Sequence, residues 1–108
     1  MENREEIQAI ANKIRATVPA EKIYLFGSHA YGKPHTNSDY DFFVVLPDGG
    51  MRPLDAALQI RLALADINRR VALDVLTDFR SAFESRKLHN TLEKKIDREG
   101  VLLYERAA

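Results

Sequence analysis

Phe42-Phe43-Val44-Val45-Leu46 is the longest uninterrupted apolar run in the chain, and it constrains the fold more than any other segment. Strand side chains alternate between the two faces of a sheet, so a strand that is apolar on both faces must be covered on both. The run therefore predicts a central strand over 40–46 with helices packed above and below it. Five residues fall far short of the ~20 that cross a bilayer, so no membrane span is expected.

The flanking segments supply partners and cover for that strand. Ile7, Ile10, Ala11, Ile14 and Val18 follow the helical period over 3–17, and Pro19 stops the pattern. Lys22 to Phe26 is a short β-branched and aromatic run that ends at Gly27, which predicts a strand. From Gly27 to Ser38 the pattern reads as a strand-to-helix corner, one or two helical turns, then a loop. Pro47-Asp48-Gly49-Gly50 is a turn. Pro53 opens a helix to about Asn68 on Leu54, Leu58, Leu62 and Ala65, with Ile60, Leu64 and Ile67 widening its apolar face. A third strand is expected over Val71 to Thr77. A short helix with Phe79, Ala82 and Phe83 follows an Asp78 cap, and a further helix runs from an Asn90/Glu93 capping box to Arg98. Gly100 terminates that helix, and Val101 to Tyr104 is a last short strand. The fold class expected is α+β: a mixed sheet of three or four strands with helices packed on it.

With 108 residues, 45% of them hydrophobic, the chain suits one domain over 1–108. The absence of Cys excludes a disulfide scaffold and cysteine-ligated zinc. Met1 is followed by Glu2, Asn3, Arg4, Glu5 and Glu6, which is no signal-peptide pattern, and a cytoplasmic protein is expected. Sixteen basic and sixteen acidic side chains cancel. Residues 1–54 hold 6 basic and 7 acidic groups and 55–108 hold 10 and 9, so neither half has the basic surface of a nucleic-acid binder. Arg69-Arg70, Arg86-Lys87 and Lys94-Lys95 read as solvated helix ends or faces. A homo-oligomer is compatible with the pattern.

Three acids occupy positions where acids are out of place. Asp39 and Asp41 open the second strand and, two residues apart, project on one side of it. Asp74 lies inside the third strand, sharing a face with Ala72 and Leu76. In neighbouring strands of suitable register, the three carboxylates converge. Clustered carboxylates repel, and burial raises the cost of keeping them ionised, so a counter-charge is required. A divalent cation with oxygen ligands meets that need, and Mg²⁺ suits it where phosphate is present; two ions balance three carboxylates and a triphosphate better than one. Upstream, Gly27 permits close backbone approach, Ser28 offers a hydroxyl, and the helix expected to start there offers unpaired N–H groups. A phosphate cradle beside a carboxylate-metal site points to phosphoryl or nucleotidyl transfer.

Gly27-Ser28, ten intervening residues, Asp39-Tyr40-Asp41 and an acid in a later strand resemble the nucleotidyltransferase superfamily related to DNA polymerase beta. Gly27-Ser28-His29-Ala30-Tyr31-Gly32 and the tail from Arg98 to Glu105 are similar to its minimal nucleotidyltransferase (MNT) group, and the likeness covers essentially the whole chain. The chain departs from the pattern at His29 and Tyr31, where many members carry Arg. The resemblance implies the nucleotidyltransferase fold and Mg²⁺-dependent transfer of AMP from ATP to an acceptor hydroxyl. Asp39, Asp41 and Asp74 would be catalytic metal ligands, and Gly27 and Ser28 would bind nucleotide. Larger relatives add a helical domain that grips the acceptor, so acceptor recognition is expected from another chain. For the MNT group that implies a HEPN-type RNase toxin, modified on a tyrosine by its antitoxin. The alternatives are an antitoxin that neutralises by binding alone, and a nucleotidyltransferase acting on tRNA or a small molecule. Lys33, His35 and His89 are expected at the surface, Phe79, Phe83 and Tyr104 in the core, and Tyr31 either stacked on a base or packed against the sheet.

Overall fold

The computed structural model describes residues 2–32 and 39–107. Helix α1 (Glu2–Thr17) leads into strand β1 (Lys22–Phe26), followed by β2 (Tyr40–Leu46), α2 (Pro53–Ala63), α3 (Ala65–Asn68), β3 (Leu73–Phe79), α4 (Arg80–Arg86), α5 (Leu92–Glu99) and β4 (Val101–Glu105). The four strands form one mixed sheet in the order β3-β2-β1-β4. β1 runs antiparallel to both β2 and β4, whereas β2 and β3 are parallel. A parallel pair needs a long crossover, and the α2–α3 segment supplies it.

β2 is covered on both faces, as its composition requires. Phe42, Val44 and Leu46 join Ile10, Ile14, Ile23 and Ile60 in the larger core, beneath α1 and α2. Phe43 and Val45 join Tyr24, Phe83 and Ile96 in a second cluster beneath α4 and α5. Each such apolar side chain contributes about 1.5–3 kcal/mol on burial, so β2 anchors the sheet and fixes the position of the two acids at its open end.

Several expectations need correction. Immediately after Gly27, over the described residues 28–32, no helix forms, and the rest of the expected corner, 33–38, lies outside the described residues. Ala30 and Tyr31 both donate their N–H to the Gly27 carbonyl (3.0 Å each), making one helical-type turn. The segment expected as a single helix over 53–68 breaks at Leu64, the cap shared by α2 and α3. Its core face is Ala56, Ile60 and Leu64, while Leu54, Leu58 and Leu62 are 82%, 56% and 65% exposed. Both sets follow the helical period on opposite sides, so periodicity could not choose between them. β3 begins two residues later than expected, in parallel register with β2.

Asp78 falls within β3 and does not cap α4. Its Oδ1 accepts the Phe79 N–H (2.8 Å), and the first turn of α4 is met from a distance, with Ser81 N–H donating to Asp48 Oδ1 (3.0 Å). Thr91, one residue beyond Asn90, caps α5 by accepting the Lys94 N–H at 3.2 Å. Phe83 is buried, Phe79 and Tyr104 are half-buried against the core, and His89 is exposed. Lys33 and His35 lie outside the described residues.

Candidate active site

Two pairing registers bring the acids and the glycine corner together. Across the antiparallel pair, Phe26 stands opposite Asp41, so the chain leaving β1 at Gly27 passes beside the opening of β2. Across the parallel pair, Asp41 stands opposite Asp74. Phe42 and Val75 both point into the α1–α2 core, which turns Asp41 and Asp74 onto the other face, the one carrying α4 and α5. Asp39, expected to open the strand, instead lies exposed just before β2, two residues from Asp41, and its charge reaches that carboxyl.

The electrostatics agree with this placement. Burial, then the Asp74 and Asp39 charges, push the Asp41 carboxyl above the ordinary carboxylate range, and His29 partly offsets them. Asp41 is half-buried and Asp74 exposed. Asp74 Oδ1 accepts the N–H of its neighbour Val75 (3.1 Å). The expected convergence of three carboxylates at one point is not found: among the described residues no three His, Asp or Glu side chains are grouped closely enough to hold a metal ion, because register pairs only Asp41 with Asp74 and Asp39 precedes the strand. The register thus brings Asp41 and Asp74 side by side with Asp39 in electrostatic range. As hard oxygen donors they suit Mg²⁺.

Gly27 has φ +79°, and a Cβ there would collide with the Asp41 carboxylate. Glycine is required at this corner on both counts, backbone and space. Ser28 follows it, half-buried, in the first positions of the turn, where N–H groups have no partner within the turn. The cradle expected at a helix N-terminus is therefore a single turn, with less dipole behind it. Tyr31 folds back over this corner. Its hydroxyl is closed off from solvent with the Gly27 N–H facing it and no well-aligned hydrogen bond, and burial raises its pKa.

Two supporting features were not read from the sequence. Tyr40, between the two acids, points to the opposite face and donates its hydroxyl to Glu6 Oε1 of α1 (2.8 Å). The His29 ring meets Tyr40 edge-on at 4.5 Å between centroids. Strand alternation turns Tyr40 away from the acids, but nothing local marks Glu6, 34 positions earlier, as its partner. A hollow of about 300 Å³ beside the β3 edge is bordered by Arg61, Leu64, Asn68, Leu73, Asp74 and Val75.

The family model "Polymerase beta, Nucleotidyltransferase" matches residues 5–108. The chain belongs to the polymerase beta nucleotidyltransferase family. Among solved structures it is similar to a candidate nucleotidyltransferase from Sulfolobus solfataricus, at 21% identity and a TM-score of 0.61, covering 93% of this chain and 78% of that one. It is also similar to a toxin-antitoxin with AMP-PNP, at 24% identity and TM-score 0.64, covering 92% and 73% of the two chains. A mutant of the toxin-antitoxin MntA-HpeT matches at 21% identity and TM-score 0.63, covering 91% and 71%. At these identities the likeness is one of fold. No curated protein matches the sequence significantly. Among the described residues no helix is long and apolar enough to cross a membrane. The chain is thus a nucleotidyltransferase of α+β fold, as its resemblance to that superfamily implied.

Proposed function

We propose that this nucleotidyltransferase is the antitoxin of a toxin-antitoxin pair and transfers AMP from ATP to a hydroxyl of its toxin, a tyrosine of a HEPN-type RNase. The observation that carries the transferase chemistry is the pairing of Asp41 with Asp74 in parallel register, with Gly27 pressed against Asp41. The toxin-antitoxin setting is supported by the likeness to two such complexes, one of them with AMP-PNP.

In this reading Asp39, Asp41 and Asp74 would hold Mg²⁺, two ions offsetting more of the charge of the carboxylates and the triphosphate than one. When bound, the metal neutralises charge on the phosphates and on the leaving pyrophosphate. Gly27 lets the backbone approach the β- and γ-phosphates, and Ser28 offers its hydroxyl to them. Asp74, at the exposed side of the site, takes the proton of the acceptor hydroxyl. The acceptor oxygen forms a bond to the α-phosphorus, the bond from that phosphorus to the α–β bridging oxygen breaks, and pyrophosphate leaves. The protein's part is positioning and charge stabilisation.

The test is incubation with α-labelled ATP, Mg²⁺ and the toxin encoded beside this chain. Label is expected on the toxin, and its loss on Asp41→Asn. Association of the two chains with no label under any condition would overturn the transfer.

A further inference from the structure

The corner that is proposed to hold the triphosphate is short of positive charge. From Gly27 to Gly32 it carries His29 and no Lys or Arg. A triphosphate brings roughly four negative charges beside the Asp41 and Asp74 carboxylates and the nearby Asp39, and two Mg²⁺ ions balance only part of that total. Helix α5 lies alongside. Ile96 points into the second core cluster, and the outward side carries Lys94, Lys95 and Arg98. Among the described residues none of these three is in an ion pair. Arg86 and Lys87, the neighbouring basic pair, are both matched, to Glu93 at 2.9 Å and to Glu84 at 2.8 Å. The three line an open hollow of about 660 Å³ together with Asn90, Thr91 and Glu99.

A contact links this helix to the site. Lys95 Nζ lies 4.7 Å from the centroid of the Tyr31 ring. Tyr31 turns its hydroxyl to the Gly27 N–H, and Gly27 abuts Asp41. The sequence of contacts Lys95, Tyr31, Gly27, Asp41 therefore runs without a gap from the cation to the carboxylates. A lysine on an aromatic face is held by an attraction of only about 0.5–1 kcal/mol at an exposed site, and an anion placed beside it displaces it readily.

We propose that Lys95, backed by Arg98 one turn away, is the cationic wall of the nucleotide site: it leaves the Tyr31 ring to pair with the terminal phosphates held at Gly27-Ser28. The inference rests on the nucleotidyl-transfer reading above and adds to it the residues that distinguish a triphosphate from a monophosphate. Lys95 contacts the Tyr31 ring and Gly27 abuts Asp41, so in this proposal the lysine meets the β- and γ-phosphates and the α-phosphorus is left to the carboxylates.

The experiment is calorimetric titration of ATP and of AMP, each with Mg²⁺, into wild type, Lys95→Gln, Lys95→Arg and Arg98→Gln, with thermal melts confirming that the variants fold. Lys95→Gln is expected to weaken ATP about tenfold, the loss of one charge-assisted contact, and to change AMP less than about twofold. Lys95→Arg is expected to keep ATP affinity within about threefold of wild type, and Arg98→Gln to fall between the two. Wild type that binds ATP with the same affinity as Lys95→Gln would overturn this inference while leaving the transferase reading intact. Equal weakening of ATP and AMP would also overturn it, because a contact to the terminal phosphates cannot act on AMP. Wild type that binds no nucleotide would overturn both readings.

Discussion

Replacing Gly27 with alanine tests whether the corner and the acids form one unit. Three glycines have positive φ: Gly27 at 79°, Gly32 at 80° and Gly49 at 77°. An alanine in this left-handed region costs about 1–2 kcal/mol from backbone sterics alone. Gly32 and Gly49 face open space, with nothing within 4 Å of an added Cβ, so that cost is all they should show. At Gly27 the new methyl would also overlap the Asp41 carboxylate, and overpacking of this kind adds about 1–3 kcal/mol. Gly27→Ala is therefore expected to cost about 2–5 kcal/mol, against about 1–2 kcal/mol for Gly49→Ala. At about 4–8 °C of Tm per kcal/mol for a chain of this size, the two are readily separated in a melt. Urea denaturation of Gly27→Ala, Asp41→Ala and the double variant completes the cycle. Removing the Asp41 carboxylate should return the Gly27→Ala cost to the Gly49→Ala value, a coupling of about 1–3 kcal/mol. Equal costs at positions 27 and 49, or additive effects in the double variant, would refute the close packing of the corner against Asp41.

Tyr40→Phe removes the hydrogen bond to Glu6 and is expected to cost about 1–2 kcal/mol at neutral pH. Burial, then Glu6, push the Tyr40 pKa from 10.0 up to about 12, so the native state holds that proton more tightly than the unfolded chain does. The associated stability is full below pH 10 and is lost as pH rises toward about 12, and urea melts across that range should show a slope in wild type that the phenylalanine variant lacks. Arg86→Ala leaves Glu93, only 6% exposed, with one carboxylate oxygen deprived of its 2.9 Å partner and the other already unpartnered. A loss of about 2 kcal/mol is expected by denaturant titration, and a loss under about 0.5 kcal/mol would mean that the pair behaves as an exposed one.

Local composition fixed the parts of this protein that depend on nearest neighbours along the chain. The both-sided apolar run over 42–46 could only be a central strand, because no other arrangement removes both of its faces from water. Strand β1 ends where Gly27 ends it, and α1 follows its Ile7, Ile10 and Ile14 stripe, because strand and helix periods are properties of short segments. The candidate site was legible to the same depth. Asp41 and Asp74 are conspicuous inside apolar strands, whereas Asp39 lies just before β2, where alternation no longer fixes its direction.

Tertiary structure decided what alternation and periodicity leave degenerate. α2 is apolar on both sides, and only packing against the sheet selected Ala56 and Ile60 over Leu54 and Leu58. The parallel register that sets Asp41 opposite Asp74 depends on the crossover between β2 and β3, which no local pattern encodes. The same holds for Asp48 bonding to the start of α4, for Glu6 holding Tyr40, and for Lys95 lying on Tyr31. Each joins groups more than 30 positions apart. Such contacts come from the shape of the packed chain, whereas caps, turns and periods come from steric and hydrogen-bonding preferences of a few adjacent residues.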